Sequence, residues 1–524
     1  MVVTENGTEK PQDSGQARLE ALGYKQLLSR DLGVVSNFAF SFTLIAILAG
    51  VSILYGQGLR YGGPISMVYG WLIAGFFNLC VAISMAEICS AYPTSGGLYY
   101  WSYQLSGPSW GPFAAWMTGW FNVVGQWAVT ASAEYAMATL LQAMILLCTG
   151  GGNGGGFYAS KYLVLAFHAG LLFTHALLNC LSIDLLAYLG TLGSIWNFVG
   201  VFVLGILIPL VSTERQSAKS VFTTFNTDTG AGIHSKPYIF VLGLLICPFA
   251  LCGYDMSAHM TEETKASDKN GAYGILSAVM TSSIFGFLYL LAIVFATPDP
   301  LSVLDPGNDA RGYAIGQVFY DAFYSRYGNG TGGIICLGAV GVAIWFATLA
   351  CVTSNSRMVF AFSRDGAMPF SKLWHRVDKR QVPINAVWLS FTMALLIAVP
   401  SLGSYVAFQA MVSIATVALY IAYALPTLCR VTLARNNFVP GPFGMSRSVS
   451  LTVGWISVLW VVAMTIMFCL PVAYPITSQT LNYTPVAIGA ILVISLGSWV
   501  LYARRWFKGP VKTLEKAENG LHPT

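Results

Sequence analysis

Long apolar runs, separated by short polar connections, recur from position 34 to position 506 of the chain. A helix needs roughly 20 mostly apolar residues to cross the hydrocarbon core of a bilayer. On this measure the pattern predicts an all-α polytopic membrane protein with twelve transmembrane helices. Numbered as segments 1 to 12, they lie at about 34–59, 65–90, 113–146, 160–181, 185–211, 237–264, 272–296, 332–361, 384–400, 404–429, 450–470 and 484–506.

Two of these segments are interrupted. In segment 6 the apolar run stops at Gly253 and turns polar at Tyr254 and Asp255, and in segment 1 Gly50 lies inside the run Ile45–Ser52. Non-helical backbone at membrane depth is tolerated only where it is buried in protein or lines a watery cavity. Paired interruptions in the two halves of a chain are the best sequence indication of a transporter's substrate site. We therefore predict discontinuous helices 1 and 6 with the substrate between them.

Broken helices expose backbone groups that suit a zwitterion. If the amino terminus is cytoplasmic, the outer half of segment 1 begins near Val51 and Ser52, and its free N–H groups favour a carboxylate. An ammonium group would bind the carbonyl groups of Ile47, Leu48, Ala250 and Leu251. The whole predicted substrate-binding set is Ile47, Leu48, Ala49, Gly50, Val51, Ser52, Phe249, Ala250, Leu251, Cys252, Gly253, Tyr254, Asp255, Gln126 and Trp345. The alternative is that Gly50 and Gly253 only allow close helix packing.

Acidic residues within membrane segments are rare and usually functional. Among them, Asp255 and Glu134 are our candidates for binding a proton or coupling an ion. Asp255 also stands where an N-cap would stabilise the second half of segment 6. The alternative interpretation of Glu134 is a structural acid whose hydrogen bonds are satisfied. Both interpretations stay open at this stage for each residue.

The distribution of basic residues predicts the orientation. With a cytoplasmic amino terminus, 20 of the 27 Lys and Arg residues fall in the inner tails and loops. The positive-inside rule therefore places both termini in the cytoplasm. On the same side, the pairs Arg30–Asp31 and Arg364–Asp365 are candidates for an inner gate, with solvated surface charges as the alternative.

Composition narrows the function classes. At 524 residues with 55% hydrophobic and 9% charged positions, the chain is too apolar for a soluble protein of its size. Its ten cysteines are scattered without a C-x-x-C pair, which indicates neither a disulfide framework nor a zinc site. The glycine-rich stretch 148–156 lacks the Gly-Lys-Ser/Thr ending of a phosphate loop. We predict no metal, cofactor, nucleic acid or catalytic residues, and hence no enzyme.

Three stretches, 87–99, 253–263 and 354–369, carry a family resemblance. The first reads EICSAYPTSGGLY, the second GYDMSAHMTEE and the third SNSRMVFAFSRDGAMP. With the surrounding chain, about 25–506, they resemble the amino acid, polyamine and organocation transporter superfamily. Within it the chain is similar to the plant bidirectional amino acid transporters, also called GABA permeases.

The resemblance implies an architecture and a mechanism. The architecture is a cytoplasmic tail at 1–33, inverted repeats at 34–230 and 231–430, peripheral helices at 431–506 and a second cytoplasmic tail at 507–524. Transport by alternating access, in either direction, is implied for amino acids including GABA, with membrane lipid and H⁺ as further partners to consider. Two departures stand out: Ala49-Gly50-Val51 replaces the Gly-Ser/Thr-Gly of many members, and segment 5 has Asn197 where some proton-linked relatives have a lysine.

Other functions remain open from the sequence. A transporter-like amino acid sensor would bind without moving substrate, and a polyamine or choline transporter would share the fold. The sequence leaves undecided the preferred amino acid, the ion coupling and the oligomeric state. It also leaves open the plasma membrane or an internal membrane such as the mitochondrial, Golgi or vacuolar one.

Overall fold

The fold is a bundle of long helices. The structure, a computed structural model, describes residues 2–3, 9–10, 13–23, 32–380, 382–403, 406–477 and 480–510. Apart from the paired two-residue strands β1 (Val2–Val3) and β2 (Glu9–Lys10), the regular elements of these residues are helical. In chain order the α-helices are α1 (Ser14–Ala21), α2 (Val34–Ile45), α3 (Ile47–Arg60), α4 (Gly63–Ala91), α5 (Gly97–Cys148), α6 (Lys161–Asn179), α7 (Ile183–Val211), α8 (Ala218–Thr223), α9 (Lys236–Gly243), α10 (Ile246–Ala250), α11 (Met256–His259), α12 (Ser267–Phe295), α13 (Ala314–Tyr327), α14 (Thr331–Arg364), α15 (Ser371–Trp374), α16 (Ile384–Ala398), α17 (Ala407–Val431), α18 (Arg447–Cys469), α19 (Thr484–Ser498) and α20 (Arg504–Trp506).

The predicted all-α membrane class is confirmed. Within the described residues, eleven helical spans are long and apolar enough to cross a membrane, and α2 with α3 counts as one of them. The remaining predicted segment, segment 6, is the interrupted series α9, α10 and α11, and each of its pieces is too short to qualify as a span. The chain is therefore a multi-pass integral membrane protein.

Some boundaries differ from the sequence pattern. Segment 3 begins sixteen positions early because α5 starts at Gly97, directly after the turn Tyr92–Gly96, and bends at Gly107 (φ 69°). The connection between predicted segments 7 and 8, at 297–331, contains the helix α13. Both stretches are too polar or too interrupted to be recognised by an apolar run.

The interrupted helices lie inside the bundle. Helix α3 packs against α10, and α11 packs against α2 and α12, while the long helices α5, α14 and α17 pack around them. Helices α7 and α19 lie at the periphery, where Val203, Ile206 and Val493 expose half or more of their side chains. Apolar side chains directed outward from a membrane helix fit contact with lipid tails.

Two ends of the bundle are distinguished below. The N-terminal end holds the start of α2, the turn 92–96 and the connections α11–α12 and α17–α18; the opposite end holds the α3–α4 turn and the loop that contains α13. Helix α1 packs at the N-terminal end: Ser14 Oγ donates to Asp268 Oδ1 (2.8 Å), and Arg18 Nε donates to the carbonyl of Ala91 (3.1 Å).

Candidate functional site

The interruption of segment 1 lies four residues earlier than predicted. Helix α2 ends at Ile45, Ala46 takes a left-handed conformation (φ 40°, ψ 65°), and α3 begins at Ile47. Gly50 is inside α3, since its amide donates to the Ala46 carbonyl (2.8 Å). The prediction that the second half begins near Val51 and Ser52 is therefore wrong. It failed because glycine was taken as the only residue able to leave the helix.

Asn197 of α7 bridges this interruption. Its Oδ1 accepts from the amide of Leu48 (3.1 Å), and its Nδ2 donates to the carbonyl of Phe42 (3.4 Å). One side chain thus satisfies a donor of the new helix and gives a second donor to a carbonyl that already accepts from the Ala46 amide. A break at Ala46 is tolerated at membrane depth because a buried amide from another helix replaces the backbone bond that Leu48 has lost.

The two interruptions touch each other at Gly50. A Cβ at this position would lie 2.9 Å from the Ala250 Cα, so the absence of a side chain allows α3 and α10 to meet backbone to backbone. Gly253 is required for two reasons. Its backbone is in the left-handed region (φ 96°), and a Cβ would lie 1.8 Å from Leu44 Cδ2. The predicted discontinuity at Gly253 is thus present, and close packing at both glycines accompanies it.

The second interruption leaves backbone acceptors free. Between α10 and α11 the chain is non-helical, and no hydrogen bond from the described residues reaches the carbonyl oxygens of Ala250 and Leu251. The amide of Gly253 donates to the hydroxyl of Tyr423 (3.2 Å), and Tyr420 donates to the carbonyl of Pro248 (3.1 Å). Two tyrosines of α17 therefore bind the second interruption and the short helix α10 that precedes it.

Asp255 is fully buried and does not cap α11. Its carboxylate makes no capping hydrogen bond, although its position is that of an N-cap. It accepts instead from Gln126 Nε2 of α5 (2.8 Å) and from the Tyr423 hydroxyl of α17 (2.7 Å). The capping interpretation is wrong, because the carboxylate turns away from its own helix toward two neighbours. Gln126 and Asp255, both predicted site residues, are in direct contact.

His259 joins this cluster from one turn further along α11. Its Nε2 lies 3.3 Å from Asp255 Oδ2, and its Nδ1 lies 3.2 Å from the carbonyl oxygen of Ser95. Ser95 belongs to the turn 92–96, and both its amide and its hydroxyl donate to Glu262 Oε1 (3.2 and 2.6 Å). Gly97 (φ 51°) allows the approach, since a Cβ there would be 3.2 Å from His259 Cε1.

Glu134 forms a second buried carboxylate–histidine pair. Its Oε1 makes a short contact with Nδ1 of His175 on α6, and both side chains are fully buried. Thr348 of α14 lies beside the same ring (3.4 Å from Nδ1), and Trp345 packs on it with ring centroids 5.1 Å apart. The structure thus places Trp345 with Glu134 rather than in contact with Asp255. It gives Oε1 of Glu134 a partner, whereas Oε2 is buried without a hydrogen bond from the described residues.

The inner-gate residues are only partly within the described chain. Arg30 and Asp31 lie outside the described residues. Asp365 accepts from the Tyr99 hydroxyl (2.7 Å), and Arg364 Nε lies 3.9 Å from Asp365 Oδ1. Asp365 therefore connects the end of α14 to the start of α5 at the N-terminal end.

The described conformation is closed around the interruptions. Ile47, Leu48, Val51, Leu251 and Asp255 have no exposed surface, and the remaining residues of the predicted set on these two segments are also buried. At the N-terminal end, Asn37 and Ser41 of α2 bind Ser257 of α11 through their side chains. Substrate would have to enter through a rearrangement of this packing.

Sequence reasoning missed four residues of the site. Tyr423, Ser95 and Asn197 come from distant segments and carry no local signal of contact with the interruptions, and Asn197 was recognised only as the absence of a lysine. His259 had a signal, since it follows Asp255 by four positions and therefore shares its helix face. Within the described residues, no group of three or more His, Cys, Asp or Glu side chains is arranged to hold a metal ion.

Comparison with known proteins places the chain in a family. A family model described as amino acid permease matches residues 32–493. The chain is 59% identical to amino-acid permease BAT1 of Arabidopsis thaliana over 502 residues, which cover 96% of this chain and 97% of that protein. It is 61% identical to the rice amino-acid permease BAT1 homolog, covering 96% of each chain, and 29% identical to the GABA-specific permease of Saccharomyces cerevisiae, covering 95% of this chain and 86% of that one. The resemblance predicted from the motifs is confirmed, and the chain belongs to the amino acid permease family, a family of transporters rather than enzymes.

Proposed function

We propose that this protein is a secondary transporter that moves amino acids, including GABA, across a membrane by alternating access. The observation that carries the proposal is the contact of two interrupted helices at Gly50 and Ala250, with the buried carboxylate of Asp255 beside them. Discontinuous helices that meet near the centre of a membrane bundle form the substrate sites of many transporters. Relatives named amino-acid permease and GABA-specific permease support the substrate class.

The substrate carboxylate binds at the start of α3. The positive end of this 14-residue helix and the Leu48 amide provide donors for an anion. In the closed form Asn197 accepts from that amide, so the carboxylate displaces or shares an existing acceptor. Relative to the sequence prediction, the anion site moves from Val51 and Ser52 to the residues immediately after Ala46.

The substrate ammonium binds the free acceptors of the second interruption. These are the carbonyl oxygens of Ala250 and Leu251, with Asp255 contributing negative charge. Phe249, Cys252 and Tyr254 surround the position, and Gln126 holds the carboxylate in place. A single carboxylate therefore lies beside these acceptors, with the His259 ring next to it.

That charge balance favours a zwitterion over a polyamine. A polyamine carries two or more cationic groups, whereas the described site holds one carboxylate at the interruptions, paired with a histidine. A relative named putative polyamine transporter, from Candida albicans, is 29% identical to this chain, so the fold itself does not separate the substrates. The single carboxylate at the interruptions, rather than the fold, therefore favours a zwitterionic substrate.

We place the N-terminal end of the bundle in the cytoplasm, from the excess of basic residues there. We assign residues 34–230 and 231–430 to two inverted repeats that rock against each other, with α18 to α20 peripheral. Asp255 and Glu134 are the groups proposed to exchange protons during transport. The turn 92–96 and Asp365 act at the inner gate.

Reconstitution tests this proposal. Purified protein in liposomes loaded with unlabelled amino acid should exchange it for labelled amino acid added outside, in a panel that includes GABA, alanine, glutamate, arginine and a polyamine. Imposed pH and sodium gradients then identify the coupling ion. Binding of an amino acid without any exchange would favour the sensor, and exchange of the polyamine alone would overturn the substrate class.

A further inference from the structure

A second group of hydrogen-bond acceptors lies on the N-terminal side of the Ala250 and Leu251 carbonyl groups. Nδ1 of His259 faces the carbonyl oxygen of Ser95 at 3.2 Å, and because a carbonyl only accepts, Nδ1 carries the single N–H of the neutral ring. Nε2 is then an acceptor. It is buried, makes no hydrogen bond among the described residues, and lies 3.3 Å from Oδ2 of Asp255. Two acceptors therefore face each other at this point.

Asn122 of α5 adds a third polar group at the same level. It precedes Gln126 by one helical turn, and His259 follows Asp255 by one turn on α11. Helix α5 leads away from the N-terminal end and α11 leads toward it, so the bond from Gln126 to Asp255 (2.8 Å) brings Asn122 and His259 to the same level of the two segments. Asn122 is fully buried, and neither Oδ1 nor Nδ2 of its side chain has a hydrogen bond among the described residues. Its oxygen is a further acceptor.

We propose that Asp255, His259 and Asn122 bind the ammonium group of an ω-amino acid such as GABA. An ammonium group has three N–H donors, and the acceptors are the Asp255 carboxylate, Nε2 of His259 and Oδ1 of Asn122. A bond between an ammonium and a carboxylate is charge-assisted and supplies most of the affinity. The proposal deepens the transport function proposed above and rests on it, because it assigns a second ammonium position within the same substrate site.

The depth of this group separates two kinds of substrate. Gly50 of α3 packs on Ala250, whereas Gly253 packs on Leu44 of α2, which is six positions closer to the N-terminal end. The second interruption therefore extends along the first by about one and a half helical turns, roughly 9 Å. An α-amino acid has a single carbon between its charged groups, so its ammonium reaches only the free carbonyl groups beside α3 when its carboxylate is at the start of that helix. GABA has three carbons between them, and its ammonium reaches Asp255.

The Asp255 carboxylate has both the capacity and the charge for this role. Gln126 donates to its Oδ2 and Tyr423 to its Oδ1, and each oxygen of a carboxylate has a second lone pair to share. Among the described residues, the only basic side chain within 4 Å of the carboxylate is His259. A buried carboxylate is costly without a positive partner. The substrate ammonium supplies that positive charge.

Exchange in proteoliposomes tests the assignment with variants that imitate different nitrogens of the ring. His259→Asn keeps a donor near the Ser95 carbonyl and removes the acceptor at the Nε2 position, whereas His259→Gln places an amide oxygen near that position. Asn122→Leu keeps the branching of the side chain and removes both polar atoms. The matched control is His168→Asn, since His168 of α6 is also fully buried and neither of its ring nitrogens has a hydrogen bond among the described residues.

The half-saturating concentrations of GABA and alanine are measured for each variant, per folded protein. In His259→Asn and in Asn122→Leu, the value for GABA should rise at least about tenfold relative to the value for alanine, equivalent to about 1.4 kcal/mol. His259→Gln should keep most of the affinity for GABA, because an acceptor remains beside Asp255. His168→Asn should keep the wild-type ratio of the two values.

A wild-type ratio of GABA to alanine in both His259→Asn and Asn122→Leu would overturn the ammonium position and leave the transport function standing. A wild-type protein that exchanges alanine but not GABA would have the same consequence. Absence of exchange by the wild type for every amino acid would instead reject the transport function.

A second measurement uses the wild-type protein and so does not depend on how the variants fold. With ¹⁵N-labelled histidine, the resonances assigned to His259 by their loss in His259→Gln should report one protonated and one unprotonated ring nitrogen. Saturating GABA should shift the unprotonated nitrogen, and alanine should leave it unchanged. An unprotonated nitrogen that does not respond to GABA, or a ring with two protonated nitrogens before GABA is added, would contradict the proposal.

Discussion

The amide nitrogen of Leu48 lies 3.1 Å from Oδ1 of Asn197, and this contact joins the first interruption to α7. The contact shows that a neutral side chain there supports the interrupted backbone. It also predicts what happens when that support is removed.

Asn197→Ala should lose both stability and transport. It leaves the Leu48 amide without an acceptor, which costs about 1–3 kcal/mol for a buried polar group, while the Phe42 carbonyl keeps its bond from the Ala46 amide. The control is Asn179→Ala, because Asn179 similarly bridges α6 and α14 through bonds to His175 and Thr353. Thermal unfolding and exchange per folded protein are measured for both. Equal loss of exchange by the two variants would argue that Asn197 has only a structural role.

Gly50 should tolerate no side chain. Gly50→Ala places a Cβ 2.9 Å from the Ala250 Cα, and overpacking of this kind costs about 1–3 kcal/mol. Gly50→Leu and Gly253→Leu should abolish transport. The sequence pattern alone predicts normal folding for them, whereas these contacts predict reduced folded yield as well.

Gly170 and Gly489 provide the controls for these glycine variants. Both lie in helices, and a Cβ at either position would meet nothing within 4 Å. Gly170→Ala and Gly489→Ala should therefore match the wild type in folded yield and exchange. Wild-type exchange by Gly50→Ala would refute the close contact between the two interruptions.

Asp255→Asn should fold and lose most of its transport. Asparagine keeps an oxygen for the Tyr423 hydroxyl but carries no charge for a substrate ammonium or for His259. We expect a loss of at least about tenfold, equivalent to about 1.4 kcal/mol. Glu134→Gln should lose less, because Glu134 contacts His175 of α6 and, among the described residues, makes no hydrogen bond to the second interruption. A variant Asp255→Asn that transports like the wild type from pH 5 to 8 would remove Asp255 from the site.

The Asn-x-Thr sequons at Asn6, Asn329 and Asn482 test the orientation. Asn329 is exposed at the opposite end, whereas Asn482 uses its side-chain amide to donate to the carbonyls of Phe468 and Leu470 and precedes the buried Thr484. A cysteine at 329, in a background without native cysteines, should react with an impermeant thiol reagent on sealed cells, or on oriented vesicles for an internal membrane. A cysteine at 6, a position outside the described residues, should not. The reverse order would invert the proposed topology.

The helical membrane fold could be predicted from the sequence because each membrane helix is a long run of apolar residues. Runs of apolar residues locate the spans, and the polar residues after Gly253 identify the second interruption correctly. Ala46 gave no such signal, since its left-handed conformation is maintained by Asn197, which is distant in the sequence. Local patterns therefore located one interruption and misplaced the other by one helical turn.

The partners of Asp255 illustrate the same limit. Its charge and depth could be read from the sequence, but Gln126 and Tyr423 approach it from α5 and α17, and their contacts decide that the carboxylate is not a cap. The position of His259 beside Asp255 could have been predicted from helical spacing. The contact with the Ser95 carbonyl could not, because the role of a backbone oxygen depends on tertiary packing alone.

The accessibility of Cys252 tests the central claim most directly. This native cysteine lies in the second interruption, three positions before Asp255, and is 5% exposed in the closed form. With Cys252 kept as the sole cysteine, a small thiol reagent should label it slowly in proteoliposomes and stop exchange. Saturating concentrations of each transported amino acid should slow that labelling, and amino acids that are not transported should leave it unchanged. Labelling of Cys252 that proceeds at the same rate with and without a transported amino acid would contradict a substrate site at the paired interruptions.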